Sequence, residues 1–367
     1  MAMTNIGVGD AKAIKKYSAF LAVDTANKSY FTRKFSGGPE SSQPIHHLDE
    51  LESDAGEYIS YDISMQMQMA PIEGDDVLEN KEEALNFYTD GLYINQARGG
   101  VNTGGRMTRK RTIHNLRKIA RKRQSDWWAR AFDELHFMYL SGSRGVNTDF
   151  VWGTSFTSFA GNSLSAPDSY HIIYANATTK ATLDADDKLD LADIDRAVGL
   201  LAMTGGGSEG IPAMQPILVD GEEHFVLIIN PWQEYDLRVN TGSGQWLDLQ
   251  KALATSVGKN SPIFKGGAGM HNNVVIHKHK KVIRFSDYGN PATVAAARAL
   301  LLGSQAAVVA FGSPGTGLRF GWNEETRDNG NQVVITSHSI LGMKKVTFNS
   351  LDFGVFCIDT AAKDPGA

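Results

Sequence analysis

Residues 106–134 read RMTRKRTIHNLRKIARKRQSDWWARAFDE, a basic run followed by two adjacent tryptophans. Apolar residues recur here and just beyond at spacings of three, four and seven, which is typical of one helical face. The pattern predicts a single spine helix from Thr108 to Leu140, roughly 50 Å long at about 1.5 Å per residue. Gly142 and Gly145 would end it. The apolar face comprises Ile113, Leu116, Ala120, Trp127, Ala131, Leu135 and Met138.

The first half of this helix is strongly basic. No aspartate or glutamate occurs between Gly91 and Ser125. Such a run is often only a solvated face, but it can also bind an acidic partner or nucleic acid. Trp127 and Trp128 follow it and are interpreted as core or interface anchors rather than base-stacking platforms. The basic residues are Arg106, Arg109, Lys110, Arg111, Arg117, Lys118, Arg121, Lys122 and Arg123.

The segment before the helix has the opposite charge. Apolar and polar residues alternate strictly through YISYDISMQMQM (58–69), which predicts a strand. NFYTDGLYINQA (86–97) predicts a second strand, and an acidic, turn-rich segment separates the two. Lys81 is the only lysine or arginine between Lys34 and Arg98. We therefore expect a long two-stranded loop with an acidic tip, which should pack on another surface because an isolated hairpin is marginally stable.

The composition excludes several classes of protein. The chain has 367 residues, a formal charge of -5 and 42% hydrophobic residues, as expected for one large or two linked globular domains. An independent DNA-binding domain would usually be basic overall. Cys357 is the only cysteine, which favours a reducing, intracellular origin. The apolar stretch AARALLLGSQAAVVAFG (296–312) is too interrupted to span a bilayer, and it predicts a buried helix that runs into a strand.

The remaining elements follow from local patterns. Residues 1–55 are rich in turn formers and predict an arm with one short helix around Ala11 to Val23. Helices are expected over KLDLADIDRAVGLLAMT (188–204), with Asp190 as N-cap, and over WLDLQKALATSV (246–257). LRFGWNEETR and QVVITSHSIL flank DNGN (328–331), which predicts a hairpin. The segments expected to form strands are PILVDG, HFVLIINP, NNVVIHKHKKVI, KKVTFN and FGVFCID.

No motif specifies an active site, a cofactor or a metal. GGGSEG (205–210) lacks the strand before it and the helix after it that a dinucleotide fingerprint requires. GSPGTG (312–317) lacks the lysine of a phosphate-binding loop. His277 and His279 could share a strand face, but lysines surround them, and an exposed polar strand is the simpler interpretation. Cys357 is typical of a packed core thiol. The sequence therefore predicts no enzyme and no cofactor.

The order of these elements resembles the major capsid proteins of tailed phages, which have the Hong Kong 97-type fold. More narrowly, the chain is similar to the major capsid family of enquatrovirus-type podophages from about Ile59 to Thr360. The similar segments are EGDDVLENKEEALNFYTDGLYINQ, SDWWARAFDEL, FVLIINPWQEYDLR, SPIFKGGAGMHNNVVIHKHKKV, ARALLLGSQAAVVAFG and GMKKVTFNSLDFGV.

This resemblance implies an α+β fold whose parts can be placed on the sequence. It comprises an N-terminal arm, an extended two-stranded loop, a peripheral domain built on the spine helix, and an axial domain. The implied bounds are 1–55 for the arm, 56–105 for the extended loop, 106–143 for the spine helix, 144–316 for the axial domain, 317–349 for a hairpin that returns to the peripheral domain, and 350–367 for a C-terminal strand and tail.

The resemblance also implies a function and partners. The chain would assemble in the host cytoplasm into hexamers and pentamers of an icosahedral head that encloses double-stranded DNA, and it would reside in the virion. A separate scaffolding protein and a portal are the expected partners, a decoration protein is a further candidate, and no membrane is involved. Some relatives crosslink a loop lysine to a neighbour's asparagine; Lys81 is the only lysine in this loop, and its position alone does not predict a crosslink. The alternative hypotheses are a non-specific nucleic-acid-binding protein that uses the basic helix, and an α/β enzyme whose site the sequence does not reveal.

The sorted charges suggest an inter-subunit contact. Complementary patches steer partners and fix their register. We therefore expect the acidic loop tip of one subunit to meet the basic helix of its neighbour, with DNA or solvent covering the remainder. The residues predicted to form the contact are Asp75, Asp76, Glu79, Glu82 and Glu83 on the tip, and Arg109, Arg117, Lys118, Arg121 and Lys122 on the helix.

Overall fold

A computed structural model shows an α+β protein built on two sheets. It describes residues 11–38, 41–48, 56–64, 69–84, 87–205, 211–219, 221–240, 267–312 and 319–366. The expected helix over 246–257, most of GGGSEG and most of GSPGTG lie outside these residues. The helices are α1 (Ala11–Lys28), α2 (Tyr30–Lys34), α3 (Arg106–Arg111), α4 (Leu116–Ser141), α5 (Leu191–Met203) and α6 (Pro231–Val239).

The strands fall into two groups along the chain. Those before α5 are β1 (Ser36–Gly37), β2 (Ile45–Leu48), β3 (Tyr58–Ser64), β4 (Phe87–Tyr93), β5 (Asn95–Asn102), β6 (Ser158–Phe159), β7 (Asn162–Ser163) and β8 (Ile172–Tyr174). Those after it are β9 (Ile217–Val219), β10 (Glu222–Ile229), β11 (Gly267–His271), β12 (Val274–Lys278), β13 (Arg284–Tyr288), β14 (Val294–Leu302), β15 (Ala307–Gly312), β16 (Gly321–Arg327), β17 (Gln332–Lys345), β18 (Thr347–Phe348), β19 (Leu351–Asp352) and β20 (Val355–Ala361).

The spine is two helices, so the prediction of one continuous helix is wrong at its N-terminal end. Asn115 accepts a hydrogen bond from the Lys118 N–H at 3.1 Å and caps α4. Asparagine favours such caps because its side chain satisfies an otherwise unpaired helix N–H. Ile113, predicted on the apolar face, lies in the break and is 97% exposed. The C-terminal prediction is confirmed, because α4 ends at Gly142 in the left-handed conformation (φ 68°).

The first sheet packs on α4 and has the order β1-β2-β15-β17-β16, with β5 also paired to β17. The predicted hairpin is confirmed: β16 and β17 are antiparallel, and Asp328 and Asn329 have φ values of 54° and 48°. Trp128 is buried, and its indole N–H donates to the Ser337 hydroxyl at 2.8 Å. The adjacent tryptophans are thus core residues at the junction of helix and sheet, with Trp127 partly buried.

The second sheet has the order β11-β12-β10-β14-β20-β8, with β13 on β14 and β9 on β10. Its two faces are both covered. Val226 and Ile228 of β10 belong to the cluster that contains Phe137 and Leu140 of α4. Their neighbours Leu227 and Ile229 belong to the cluster that contains residues of α5 and α6. This alternation follows from the period of two along a strand.

The predicted helix in residues 296–312 is wrong. Residues 294–302 form β14 at the centre of the second sheet, paired with β10 on one side and β20 on the other. Alanine and leucine favour helix locally, but that preference is weak compared with burial. Residues 296–302 are all buried, which suits a central strand covered on both faces.

Strand pairing joins segments that the sequence placed in different domains, and the domain bounds themselves stay a prediction. β5, expected in the extended loop, pairs with β17 of the first sheet. β15, expected in the axial domain, also lies in the first sheet. β20, at the C-terminus, pairs with β14 of the second sheet. The chain therefore crosses between the sheets after β14 and again before β20.

The N-terminal segment packs on its own chain over much of its length, although the sequence suggested an arm without a core. Leu21, Phe31 and Phe35 are fully buried in the main core. β2 pairs in parallel with β15. The buried Asp133 carboxylate of α4 accepts hydrogen bonds from the Ser29 hydroxyl at 2.8 Å and the Tyr30 N–H at 2.9 Å. It thereby caps α2 and fixes the segment to the spine helix.

His277 is buried and His279 is partly buried, so their interpretation as an exposed polar strand is wrong. His277 is 1% exposed and lies edge-on to Phe35. His279 stacks on Phe137 with 4.9 Å between ring centroids. His136 stacks in the same way on Phe31 of α2. Imidazoles therefore line the surface that receives the N-terminal segment. Among the described residues no group of His, Cys, Asp or Glu could hold a metal ion.

These histidines predict that the protein is less stable at about pH 5.5 than at about pH 7.5. Burial lowers the pKa of His136 to about 3, and burial with neighbouring lysines lowers that of His279 to about 4. In the unfolded chain both pKa values return to about 6.5, so stability present above that pH is lost as the pH falls. Asp133 opposes this in part, because burial raises its pKa to about 6.

The expected net loss is about 1–2 kcal/mol in the free energy of unfolding, measured by urea denaturation at the two pH values. His136→Phe should flatten the pH dependence, whatever its effect at neutral pH. His114→Phe, at an exposed histidine, is the matched control and should leave the pH dependence unchanged. Equal stability of the parent protein at both pH values would contradict the prediction.

Candidate inter-subunit interface

The extended loop is fixed at its root by packing. One face of the β3–β4 pair carries Ile59 and Leu92, which are buried with Val308 and Val346 of the same chain. The sequence predicts that the loop packs on another surface. For the root of the loop, that surface belongs to its own subunit. The expected strand is confirmed over 58–64, while residues 65–68 lie outside the described part of the chain.

Polar contacts also hold the root. Asp90 of β4 forms an ion pair with Lys344, and it accepts hydrogen bonds from the Thr347 hydroxyl at 3.1 Å and the Tyr61 hydroxyl at 3.2 Å. Burial, with Asp90 nearby, raises the pKa of Tyr61, so its hydroxyl remains a donor. The Asn162 side chain pairs with the backbone N–H and C=O of Tyr93 at 2.9 and 2.8 Å. These contacts fix the orientation of the extended loop relative to the rest of the subunit.

Sequence reasoning missed these anchoring residues. Asp90 is one of many acidic residues in the loop segment, and Asn162 and Lys344 carry no local signal, because their partners lie 69 and 254 positions away. Patterns of neighbouring residues do not report contacts at such separations.

The tip of the loop presents its acidic residues to solvent. Four of the five predicted residues, Asp75, Asp76, Glu79 and Glu82, are exposed. Glu83 is half-buried, and its carboxylate accepts a hydrogen bond from the Met69 N–H at 2.7 Å. Glu83 therefore helps to close the tip, and the other four residues are oriented toward solvent.

The predicted basic residues divide into two groups. Arg117 forms an ion pair of 2.6 Å with Glu324, whose side chain is only 5% exposed. Arg109 donates to the Asn331 carbonyl at 3.1 Å, and the Arg121 guanidinium lies over the Phe20 ring. These three contacts hold α3 and α4 against the β16–β17 hairpin and α1.

Lys118 and Lys122 form the second group and are exposed on α4. Lys118 also lines a shallow recess with Asn115, Arg117 and Arg121. A recess lined by three cationic side chains favours an anionic occupant, whether carboxylate or phosphate. The part of the predicted basic surface that faces solvent therefore comprises Lys118, Lys122 and the rim of this recess.

The acidic and basic sets do not meet within one subunit. Among the described residues, no ion pair joins Asp75, Asp76, Glu79 or Glu82 to the basic residues of α3 and α4. The exposed tip carboxylates and the exposed Lys118 and Lys122 are therefore accessible to a second molecule. No helix in the described part of the chain is long and apolar enough to cross a membrane.

Comparison with known proteins identifies the family. The profile of the family described as phage capsid protein matches residues 5–364. The chain belongs to the phage capsid protein family. It is 48% identical to a chain in the capsid of Ralstonia phage GP4, with a TM-score of 0.86 and 99% of both chains covered. The major capsid protein of Pseudomonas phage KPP25 is 25% identical, with 89% of each chain covered.

The fold is the Hong Kong 97-type fold expected from the sequence. A chain of the cyanophage Pam1 capsid shares it at 19% identity, with a TM-score of 0.70 over 92% of this chain and 93% of that chain. The protein is accordingly a capsid subunit and a component of the virion. An independent nucleic-acid-binding function has no support in these comparisons. The narrower resemblance to enquatrovirus-type podophages stays a prediction.

Proposed function

We propose that this chain forms the hexamers and pentamers of an icosahedral phage head and has a purely structural role, without catalysis. The observation that carries the proposal is the similarity to the Ralstonia phage GP4 capsid chain, which extends over 99% of both chains at 48% identity. Similarity along the whole length includes the extended loop, the spine and both sheets, and these are the elements that a shell subunit presents to its neighbours.

Neighbouring subunits contact each other through the acidic tip and the basic helix. The root of the loop is held rigidly by Asp90 and Asn162, so the exposed carboxylates of the tip project from a fixed base. Lys118 and Lys122 provide the complementary charge on the next subunit. Each exposed ion pair contributes only about 0.2–1 kcal/mol, so the contact is strong only as a network. A network of exposed pairs can also break and re-form while a shell changes size.

The remaining partners follow from the role of a shell. Basic residues that the tip leaves uncovered face packaged double-stranded DNA through non-specific contacts with phosphate, which weaken as salt rises. A separate scaffolding protein directs assembly in the host cytoplasm, a portal occupies one vertex, and a decoration protein is a further candidate for the outer surface. No cofactor takes part.

The purified protein should form hexamers or pentamers at high concentration, alone or with its scaffolding protein. Subunits with complementary exposed charges associate in a way that depends on concentration and salt. Light scattering across a range of concentrations, with negative-stain electron microscopy of the same samples, measures this. A strict monomer at high concentration in the presence of the scaffolding protein would contradict the proposal.

A further inference from the structure

The tip of the extended loop has a defined local structure that displays two aliphatic side chains. The Asp76 N–H donates to the Glu73 carbonyl at 3.4 Å, and the Lys81 N–H donates to the Leu78 carbonyl at 2.9 Å. Gly74 and Asn80 take the positive φ values that these two turns require, 61° and 67°. Val77 and Leu78 lie between the turns and are 64% and 50% exposed.

The break in the spine and the first turn of α4 display two further exposed aliphatic side chains. Asn115 caps α4, and the His114 N–H donates to the Thr112 hydroxyl at 3.2 Å, so the connection has its own hydrogen bonds. Ile113 is 97% exposed there, and Ile119, on the first turns of α4, is 42% exposed.

The position of α3 is also fixed. Its first backbone N–H, that of Arg106, donates to the Asn331 side chain at 3.0 Å, and the Arg109 side chain donates to the Asn331 carbonyl. The hairpin turn of the first sheet therefore holds the segment that precedes Ile113. Ile113 is therefore exposed in a segment whose position is fixed on both sides, by the hydrogen bonds of α3 and by the cap of α4.

A single exposed aliphatic residue needs no explanation. These two surfaces differ because acidic residues predominate around the first, where Lys81 is the one cation, and basic residues predominate around the second. Asp75, Asp76 and Glu79 flank Val77 and Leu78 in sequence, while Arg111 and Lys118 flank Ile113. An apolar centre within a charged rim is the usual anatomy of a specific protein interface.

We propose that Val77 and Leu78 of one subunit pack against Ile113 and Ile119 of a second copy of this chain, as the apolar centre of the contact between tip and helix. The inference rests on the proposed charge contact and makes it more specific. Charge steers the tip to the helix, and the aliphatic side chains, once dehydrated, hold it in one register. A second copy of the chain is the occupant because the same molecule carries both the acidic tip and the complementary basic helix.

The test removes the apolar groups and keeps every charge. We expect Val77→Ser with Leu78→Ser, and separately Ile113→Ser, to raise the protein concentration needed for capsomer formation at least tenfold, measured by light scattering. Circular dichroism should show an unchanged fold, because these side chains are exposed in the subunit. Met203→Ser, at an 86% exposed residue of α5, is the matched control and should assemble as the parent does.

Cysteine crosslinking tests the pairing directly, since the native Cys357 is buried and does not interfere. A mixture of Leu78→Cys and Ile113→Cys proteins should form an oxidant-dependent dimer that neither protein forms as efficiently alone. Normal assembly of the serine variants together with no mixed dimer would overturn the inference. The charge contact would still stand in that case if reversal of Lys118 and Lys122 blocked assembly; if that reversal also had no effect, the proposed contact itself would fail.

Discussion

Replacing Asp359 by asparagine should lower the free energy of unfolding by about 3–5 kcal/mol, because it leaves a buried guanidinium without its counter-charge. Asp359 is 0% exposed and Arg298 only 7% exposed. The carboxylate accepts two hydrogen bonds from Arg298, both 2.7 Å, and one from the Tyr288 hydroxyl at 2.6 Å. Urea denaturation of the purified subunit, followed by circular dichroism, measures the loss.

The loss of stability should be large because the Arg298–Asp359 pair also connects the second sheet to the spine helix α4. Arg298 donates a further hydrogen bond of 2.7 Å to the Ser141 carbonyl, at the C-terminal end of α4. A cation at that position is favourable because it lies near the unpaired carbonyls and the negative end of the helix dipole. The same side chain thus links β14, β20 and the spine helix, and its disturbance should loosen the second sheet from the spine.

A matched exposed pair provides the control. Arg327 and Glu325 form an ion pair of 3.0 Å in which both side chains are more than half exposed. Arg327→Gln should cost less than about 1 kcal/mol, the usual value for surface pairs. If Asp359→Asn lowers the free energy of unfolding no more than Arg327→Gln does, the buried network of Asp359, Arg298 and Tyr288 does not stabilise the junction between the second sheet and the spine helix.

Elements defined by neighbouring residues could be predicted from the sequence. Asp190 was expected to cap a helix, and it does so in a capping box with Asp193 at the start of α5. DNGN was expected to turn a hairpin, and asparagine and aspartate tolerate the positive φ values that the turn uses. In both cases the determining hydrogen bonds and torsion angles lie within a few residues.

Elements defined by distant partners could not be predicted. The strand β14 was taken for a helix because its alanines and leucines carry no information about the two strands that flank it, and β20 lies more than 50 residues further along the chain. Similarly, the packing of the N-terminal segment on α4 depends on Asp133, about 100 positions from the residues that it caps. Burial on both faces, which decides such cases, is a property of the assembled fold.

The candidate interface likewise has features that could be predicted from the sequence and features that could not. The sequence shows that acidic and basic residues are sorted into two consecutive segments. It does not show which basic residues already form contacts within their own subunit. Arg117 stabilises the buried Glu324 carboxylate, so reversing its charge would place two carboxylates together and destabilise the subunit itself. A test of the contact between subunits must therefore spare Arg117 and use the exposed lysines.

Replacing Lys118 and Lys122 together by glutamate should block capsomer assembly while the subunit remains folded. Both side chains are exposed, and glutamate forms helix about as well as lysine does. Each reversal converts an attraction into a repulsion, which together amounts to about 1–4 kcal/mol per contact on the scale of surface ion pairs. At about 1.4 kcal/mol per tenfold, association should weaken about fivefold or more at each contact, and light scattering should detect the loss.

The compensating variant decides what the helix binds. Reversing Asp75, Asp76, Glu79 and Glu82 to lysine should restore assembly in part, because attraction returns with the signs exchanged. Lys280→Glu with Lys363→Glu, at two exposed lysines that are not part of α4, changes the net charge equally and should assemble normally. If the Lys118 and Lys122 variant still forms normal shells and loses only retained DNA, the helix is a DNA surface. Rescue by the acidic-tip reversal would be inexplicable in that case, since phosphate would be repelled by the glutamates whatever charge the loop carried.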